Sequence, residues 1–219
     1  MIELNINIVD IDHRKSLAIF LAFAIVLSVL SSFVLSSDEL YFQFYGEQLA
    51  YERIVELIEL QNKWLWLGYL LMPIIYFIKF FLISCVLLMG IFIIGLEVRF
   101  KDVFKITVFS EFIFFIPLLI KLVWFGFIER DYSLQDLLNY APLSLDNILD
   151  VTETSPWLSP LLKSISVFEL AYWMLLGYGL YLVLGKPFKQ TMGLVAASYG
   201  SAWIVWQVFV IFLMINFST

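Results

Sequence analysis

Apolar residues in this chain gather into long runs, and the polar residues sit between the runs. A run of about 20 residues, at about 1.5 Å of helical rise each, crosses a hydrocarbon core of about 30 Å, and inside lipid a helix satisfies its own backbone. Five runs reach that length, at residues 16–37, 64–96, 103–127, 161–184 and 191–215. The first is free of charge and lacks a clear small-residue cleavage site, so it reads as a retained helix. The second is 33 residues long, with its glycines (68, 90 and 95) near its ends. That predicts one long helix which tilts, kinks near Pro73 or projects from the membrane, rather than a re-entrant pair. The expected architecture is an all-α polytopic membrane protein with five transmembrane helices, a single membrane domain over residues 1–219.

The intervening segments are short. Within 38–63, Tyr51, Ile54, Val55 and Ile58 share one helical face, and Glu52, Glu56 and Glu59 the other. This period predicts an amphipathic helix leading into the second span. Within 128–160, Ser133 and Asp136 have helix-start spacing, Ala141-Pro142 marks a break, and Ser155-Pro156 and Ser159-Pro160 follow. Two short helices are expected there, with the last Ser-Pro pair opening the fourth span. The N-terminal arm, residues 1–15, alternates Ile2, Leu4, Ile6 and Ile8 with polar residues. A lone strand has no sheet to join in a helical protein, so the arm either lies loose at the interface or adds to a partner's sheet edge.

Composition strengthens the membrane assignment: 62% of the 219 residues are hydrophobic and 15% charged. Charge then supplies an orientation. Segments 1–15, 97–105 and 185–190 hold seven Lys and Arg residues, whereas 38–63 and 128–160 hold three against twelve acidic residues. By the positive-inside rule the N-terminus is expected inside and the C-terminus outside. The net charge of −6 is mostly an outer-face property, which argues against nucleic acid as a partner and against the chain being drawn to anionic lipid.

Four charged residues fall within the spans away from their ends: Lys79, Glu111, Lys121 and Glu169. Such residues are costly in hydrocarbon and either pair with one another or mark a functional pathway. Matching their depths gives two candidate pairs, Lys79 with Glu111 and Lys121 with Glu169. Each pair reads either as a helix-to-helix tie or as part of a proton or ion relay, although no internal repeat accompanies them.

Catalytic sets are missing. The single histidine, His13, lies in the N-terminal arm, so neither a histidine-bearing zinc site nor a Ser-His triad can form within the spans. No span holds an aspartate, Cys85 is the only cysteine, Ser84 lies off the face of Lys79, and no Gly-rich phosphate loop occurs. No enzyme activity, cofactor or metal is expected. Packing signals are clearer: Gly193, Ala197 and Ser201 recur every four residues in the fifth span, with Gly200 beside them. Gly177 and Gly179 in the fourth span offer a facing groove, and the short link GKPFKQ predicts a tight hairpin of the two spans. The same stripe is alternatively a homodimer face.

The segments LEVRFKDVFKITVFSEFIFFIPLLI and ISVFELAYWMLLGYGLYLVLGKPFKQTMG, with five spans and a short inner N-terminus, resemble the Yip family of Rab-interacting membrane proteins, particularly its compact bacterial relatives. The likeness lies in a basic turn, a Phe-Lys start and a mid-span proline in the third span. It continues in a Phe-acid-aromatic entry and glycines in the fourth. The aspartate-leucine-glycine-proline type signature and long cytosolic N-terminal region of the eukaryotic members are not found. The resemblance implies a non-enzymatic scaffold or accessory subunit in a bacterial inner membrane, acting through helix-helix contacts. Its partners would be membrane lipids and either another integral membrane protein or a second copy. The alternative is a small transporter or lipid-handling protein using Lys79 and Glu111 in a hydrated cavity.

Overall fold

The structure is a computed structural model and describes residues 13–35, 37–148 and 158–217. In chain order its helices are α1 (His13–Leu35), α2 (Asp38–Tyr45), α3 (Tyr51–Ile93), α4 (Phe100–Glu111), α5 (Phe115–Val123), α6 (Leu134–Asn139), α7 (Ser159–Ser164), α8 (Val167–Leu184), α9 (Phe188–Val195) and α10 (Ser201–Phe217). Short 3-10 turns occupy Phe112–Phe114 and Leu145–Asn147, and π turns occupy Trp124–Ile128 and Ala196–Gly200. Among the described residues there is no strand, only an isolated bridge between Ser144 and Ser166. Five stretches are long and apolar enough to cross a membrane: Arg14–Leu35, Tyr51–Ile93, Phe100–Ile128, Val167–Leu184 and Phe188–Asn216. The chain is a multi-pass helical membrane protein. The alternating arm at 1–12 and the Ser155-Pro156 pair lie outside the described residues.

Two boundaries differ from the sequence expectation. The amphipathic segment and the second span are one helix, α3, whose 43 residues rise about 65 Å, roughly twice the hydrocarbon core. Nothing between Tyr51 and Trp64 breaks the helix, and α3 also runs unbroken through Pro73. The fourth span starts at Val167 rather than near residue 161. Ser159-Pro160 instead opens the separate α7, with the proline in its first turn. The chain then extends through Ile165 and Ser166, because Leu145 N–H donates to the Ile165 carbonyl (2.9 Å) and Val167 N–H to that of Leu143 (3.1 Å). Ser166, held extended by this pairing, caps α8 by accepting from Glu169 N–H at 3.2 Å.

The third span is interrupted. Pro117 has no N–H to give the Ile113 carbonyl, and the helix narrows to a 3-10 turn one residue on either side of Ile113 before α5 resumes. Turns between spans end on glycines in the left-handed region. Gly95 (φ 73°) follows α3, with Leu96 N–H reaching the Ile91 carbonyl, and Gly185 (φ 61°) closes α8.

Contacts gather the chain into two compact units. One comprises Met1–Phe20, Ile78–Phe114 and Leu143–Thr219; the other Leu21–Phe77 and Phe115–Pro142. In the second unit, Phe23 packs edge-on to Phe115, and Phe125 sits against Tyr132 and Tyr140. There Ser133 and Asp136 form a full capping box on α6, and that helix's Leu137 carbonyl accepts from Lys121 Nζ at 2.6 Å. The first unit has a core of Leu87, Ile91, Val103, Ile106, Tyr172, Leu176 and Leu180, all at most 2% exposed. Phe20, wholly buried, meets Phe80 and Phe112 edge-on.

Candidate functional site

The first unit encloses a polar cluster in its apolar core. Lys79 on α3 forms an ion pair with Glu111 at the end of α4, and its Nζ lies 5.2 Å from the centre of the Phe114 ring. The Glu111 side chain is 3% exposed and that of Lys79 43%. The narrowed turn that begins at Phe112 brings Phe114 to the ammonium, so the Pro117 interruption shapes this site. Ser84 and Thr107 hydroxyls meet at 3.2 Å; one donates to the other, which in turn donates to its own helix, at the Phe80 or the Val103 carbonyl. Ser84 is therefore committed to packing α3 against α4.

Glu169 forms the other half. Its position three residues after the capping Ser166 resembles a capping box, in which the glutamate would turn back to the Ser166 N–H. Here its Oε1 instead accepts from Trp173 Nε1 at 2.8 Å and from the Tyr199 hydroxyl at 3.0 Å. Tyr199 comes from the π turn of the fifth span, where one extra residue in the turn re-aims the side chain. Between the halves stands Tyr172, wholly buried, its ring 5.4 Å from that of Tyr199 and 5.2 Å from that of Phe114. The Tyr172 hydroxyl and Glu111 Oε2 are buried, and the Tyr172 side chain interacts with that of Glu111. A line of groups thus runs Lys79, Glu111, Tyr172, Tyr199, Glu169, Trp173 across α3, α4, α8 and the fifth span.

The structure brings Lys79 and Glu111 together, but gives Glu169 two aromatic donors in place of Lys121, which holds the Leu137 carbonyl in the second unit. Depth matching overlooked neutral donors. Trp173 was legible as the residue one turn beyond Glu169, whereas Tyr199 depends on a π turn that no sequence period announces.

The glycine expectation changes as well. A Cβ on Gly177 would strike Met192, and one on Gly179 would strike Ile106 of α4. Gly200 admits Trp173, whose ring would stand 2.7 Å from an added Cβ. These three glycines make the close approaches, including that of α8 to α9. Gly193, Ala197 and Ser201 do not face the fourth span: Gly193 has nothing within 4 Å of an added Cβ, and all three are exposed. Gly193 and Ala197 instead line an open groove of about 700 Å³ against the last turns of α3. Its mouth carries Lys186 and Gln190, and deeper along it Gly90 and Ser198 nearly touch, with an added Cβ on Gly90 2.7 Å from the Ser198 Cβ.

Among the described residues, no three His, Cys, Asp or Glu side chains gather as a metal set. No family model, curated protein or solved structure matches this chain.

Proposed function

We propose that the protein is a non-enzymatic membrane scaffold or accessory subunit that works through helix-helix contacts, with its fifth span as the contact helix. One observation carries this reading: Gln207. It lies sixteen residues from Thr191 and nine from Asn216, about 24 Å and 14 Å of helical rise, so both ends of the span are distant. The side chains of Thr191, Ser198, Ser201 and Asn216 satisfy themselves on carbonyls of their own helix. Tyr199 reaches Glu169. Gln207, half-buried, makes no hydrogen bond with the described residues. A carboxamide left unsatisfied in hydrocarbon is costly, and a hydrogen bond to a neighbouring transmembrane helix relieves that cost.

The fifth span is also the least covered. In its most apolar window 6% of residues are buried, against 17% to 39% in the other four. Lipid alone can cover apolar side chains; it cannot satisfy a mid-span glutamine, and that difference favours a protein neighbour. The likeness of residues 96–120 and 165–193 to Yip proteins points to the same class, and with the basic residues at 97–105 and 185–190 it favours an N-inside protein of a bacterial inner membrane. The test is the mass of the particle extracted from native membrane in lipid nanodiscs. A complex larger than one chain is expected, weakened about fivefold by Gln207→Leu, as one interhelical hydrogen bond warrants. A monomeric wild-type particle, or a complex unchanged by Gln207→Leu, contradicts the proposal.

A second reading, a small transporter or lipid-handling protein that uses Lys79 and Glu111, draws on the run of Lys79, Glu111 and Tyr172 within the spans. Ionisable groups inside a span are costly enough to need a reason, and a passing proton is one. In that reading the double variant Lys79→Leu/Glu111→Leu folds but loses the growth phenotype; in the scaffold reading it folds and keeps it.

A further inference from the structure

The groove between α3 and α9 has the form of a site for an amphipathic ligand with an anionic head. Its walls are apolar: Val86, Met89 and Ile93 present one side of α3, and Leu194 and Ala197 the fifth span. Its free polar side chains lie at the end at the turn after α8, because Ser198, which also lines it, donates to the Leu194 carbonyl of its own helix. There Lys186 and Gln190 are exposed, and neither side chain makes an ion pair or hydrogen bond with the described residues. Lys186 is the cation that lines the groove; Arg99 and Lys105, which do not line it, are both engaged with Asp102, at 2.8 Å and 3.9 Å.

The length of the groove selects among occupants. From Phe188 to Ser198 the fifth span rises about 15 Å, half of a hydrocarbon core of about 30 Å. A neighbouring transmembrane helix would continue across the whole core, whereas the groove's lining reaches only to Val86 on α3 and Ser198 on the fifth span. A depth of one leaflet with a cation at its mouth fits a lipid, whose chain fills the apolar part and whose phosphate meets the lysine. Gly193 holds the groove open, because it leaves empty the space that a larger residue would fill.

We propose that this groove binds an anionic phospholipid from the leaflet on the side of the Gly185-Lys186-Pro187 turn, with its phosphate on Lys186 and Gln190 and one acyl chain along Gly193 and Ala197. The site is separate from Gln207, and it stands whether or not the fifth span docks a partner.

Native mass spectrometry of the full chain, purified in mild detergent and given phosphatidylglycerol or phosphatidylcholine, tests the site. Wild type is expected to retain phosphatidylglycerol about fivefold better than phosphatidylcholine, the preference one lysine confers against an anionic headgroup. Lys186→Ala brings the two lipids to parity. Gly193→Leu, which meets open space and strengthens the helix, lowers retention of both while the unfolding temperature holds. Equal retention of the two lipids by wild type, no retained lipid, or variants that bind as wild type does would each overturn the proposal. So would a Gly193→Leu variant that changes the mass of the protein complex and leaves lipid retention as it was, since a partner helix would then own the groove.

Discussion

Single atoms decide the role of the buried cluster. Lys79 and Glu111 sit in a medium where an unpaired charge is expensive, so removing one partner should cost more than removing both. Lys79→Leu or Glu111→Leu alone is expected to lower unfolding stability by roughly 2 to 3 kcal/mol, less than a wholly buried pair because the lysine remains 43% exposed. The double variant should recover most of that loss, measured by denaturation in detergent micelles; additive losses would contradict the tie. Glycines give a second contrast. Gly200→Ala drives a methyl group into the rigid Trp173 ring and should cost about 1 to 3 kcal/mol, whereas Gly193→Ala meets open space and should be neutral or stabilising by up to about 1 kcal/mol. Equal effects at the two positions would refute the packing described. Charge and rarity made Lys79, Glu111 and Glu169 legible in the sequence. Tyr172 and Tyr199 were not, because an aromatic in an aromatic-rich span carries no mark that its polar atom is used.

Helices show the same division between what a pattern reveals and what contacts decide. The five spans follow from run length alone, since lipid dictates that length. Boundaries do not follow, because they are set by local pairing. The Ser144–Ser166 bridge delays the fourth span to Val167, and the continuous α3 merges an amphipathic segment with a span that hydropathy separates. The Gly193-Ala197-Ser201 stripe was visible, but the side it faces was not, because a π turn after Val195 changes the phase of the helix. The capping box of α6 was visible in full from Ser133 and Asp136. Hydrogen bonds from Ser133 hold the Asp136 carboxyl below its ordinary value of 3.8, while the mild burial opposes them. A depressed carboxylate stabilises the folded state above its unfolded value and loses that contribution as the pH falls through the folded one. Amide exchange over residues 134–140, corrected for intrinsic rates, should therefore be protected near neutrality and lose protection below about pH 4. Ser133→Ala should remove about 1 kcal/mol of that protection at neutral pH. Protection that is flat with pH, or unaltered by the substitution, would show that the cap does not hold this helix.

At the scale of the whole molecule, the chain is a multi-pass helical membrane protein, and among the described residues a few polar side chains find no partner within it. Three of them define its expected traffic with the surroundings: Gln207 toward another helix, and Lys186 and Gln190 toward a lipid headgroup. None of these was distinguished by sequence alone, because a glutamine in a span or a lysine in a turn becomes informative only when its neighbours are known to be engaged elsewhere. The central claim is that the fifth span docks against protein through Gln207. It is tested most directly by placing a photo-crosslinking residue at each position from 202 to 214 in turn and irradiating native membranes. Adducts to one protein of defined mass should recur every three to four positions, in phase with Gln207, and weaken about fivefold when Gln207→Leu is combined with them. Adducts to lipid alone at every position, or protein adducts with no helical period, would contradict it.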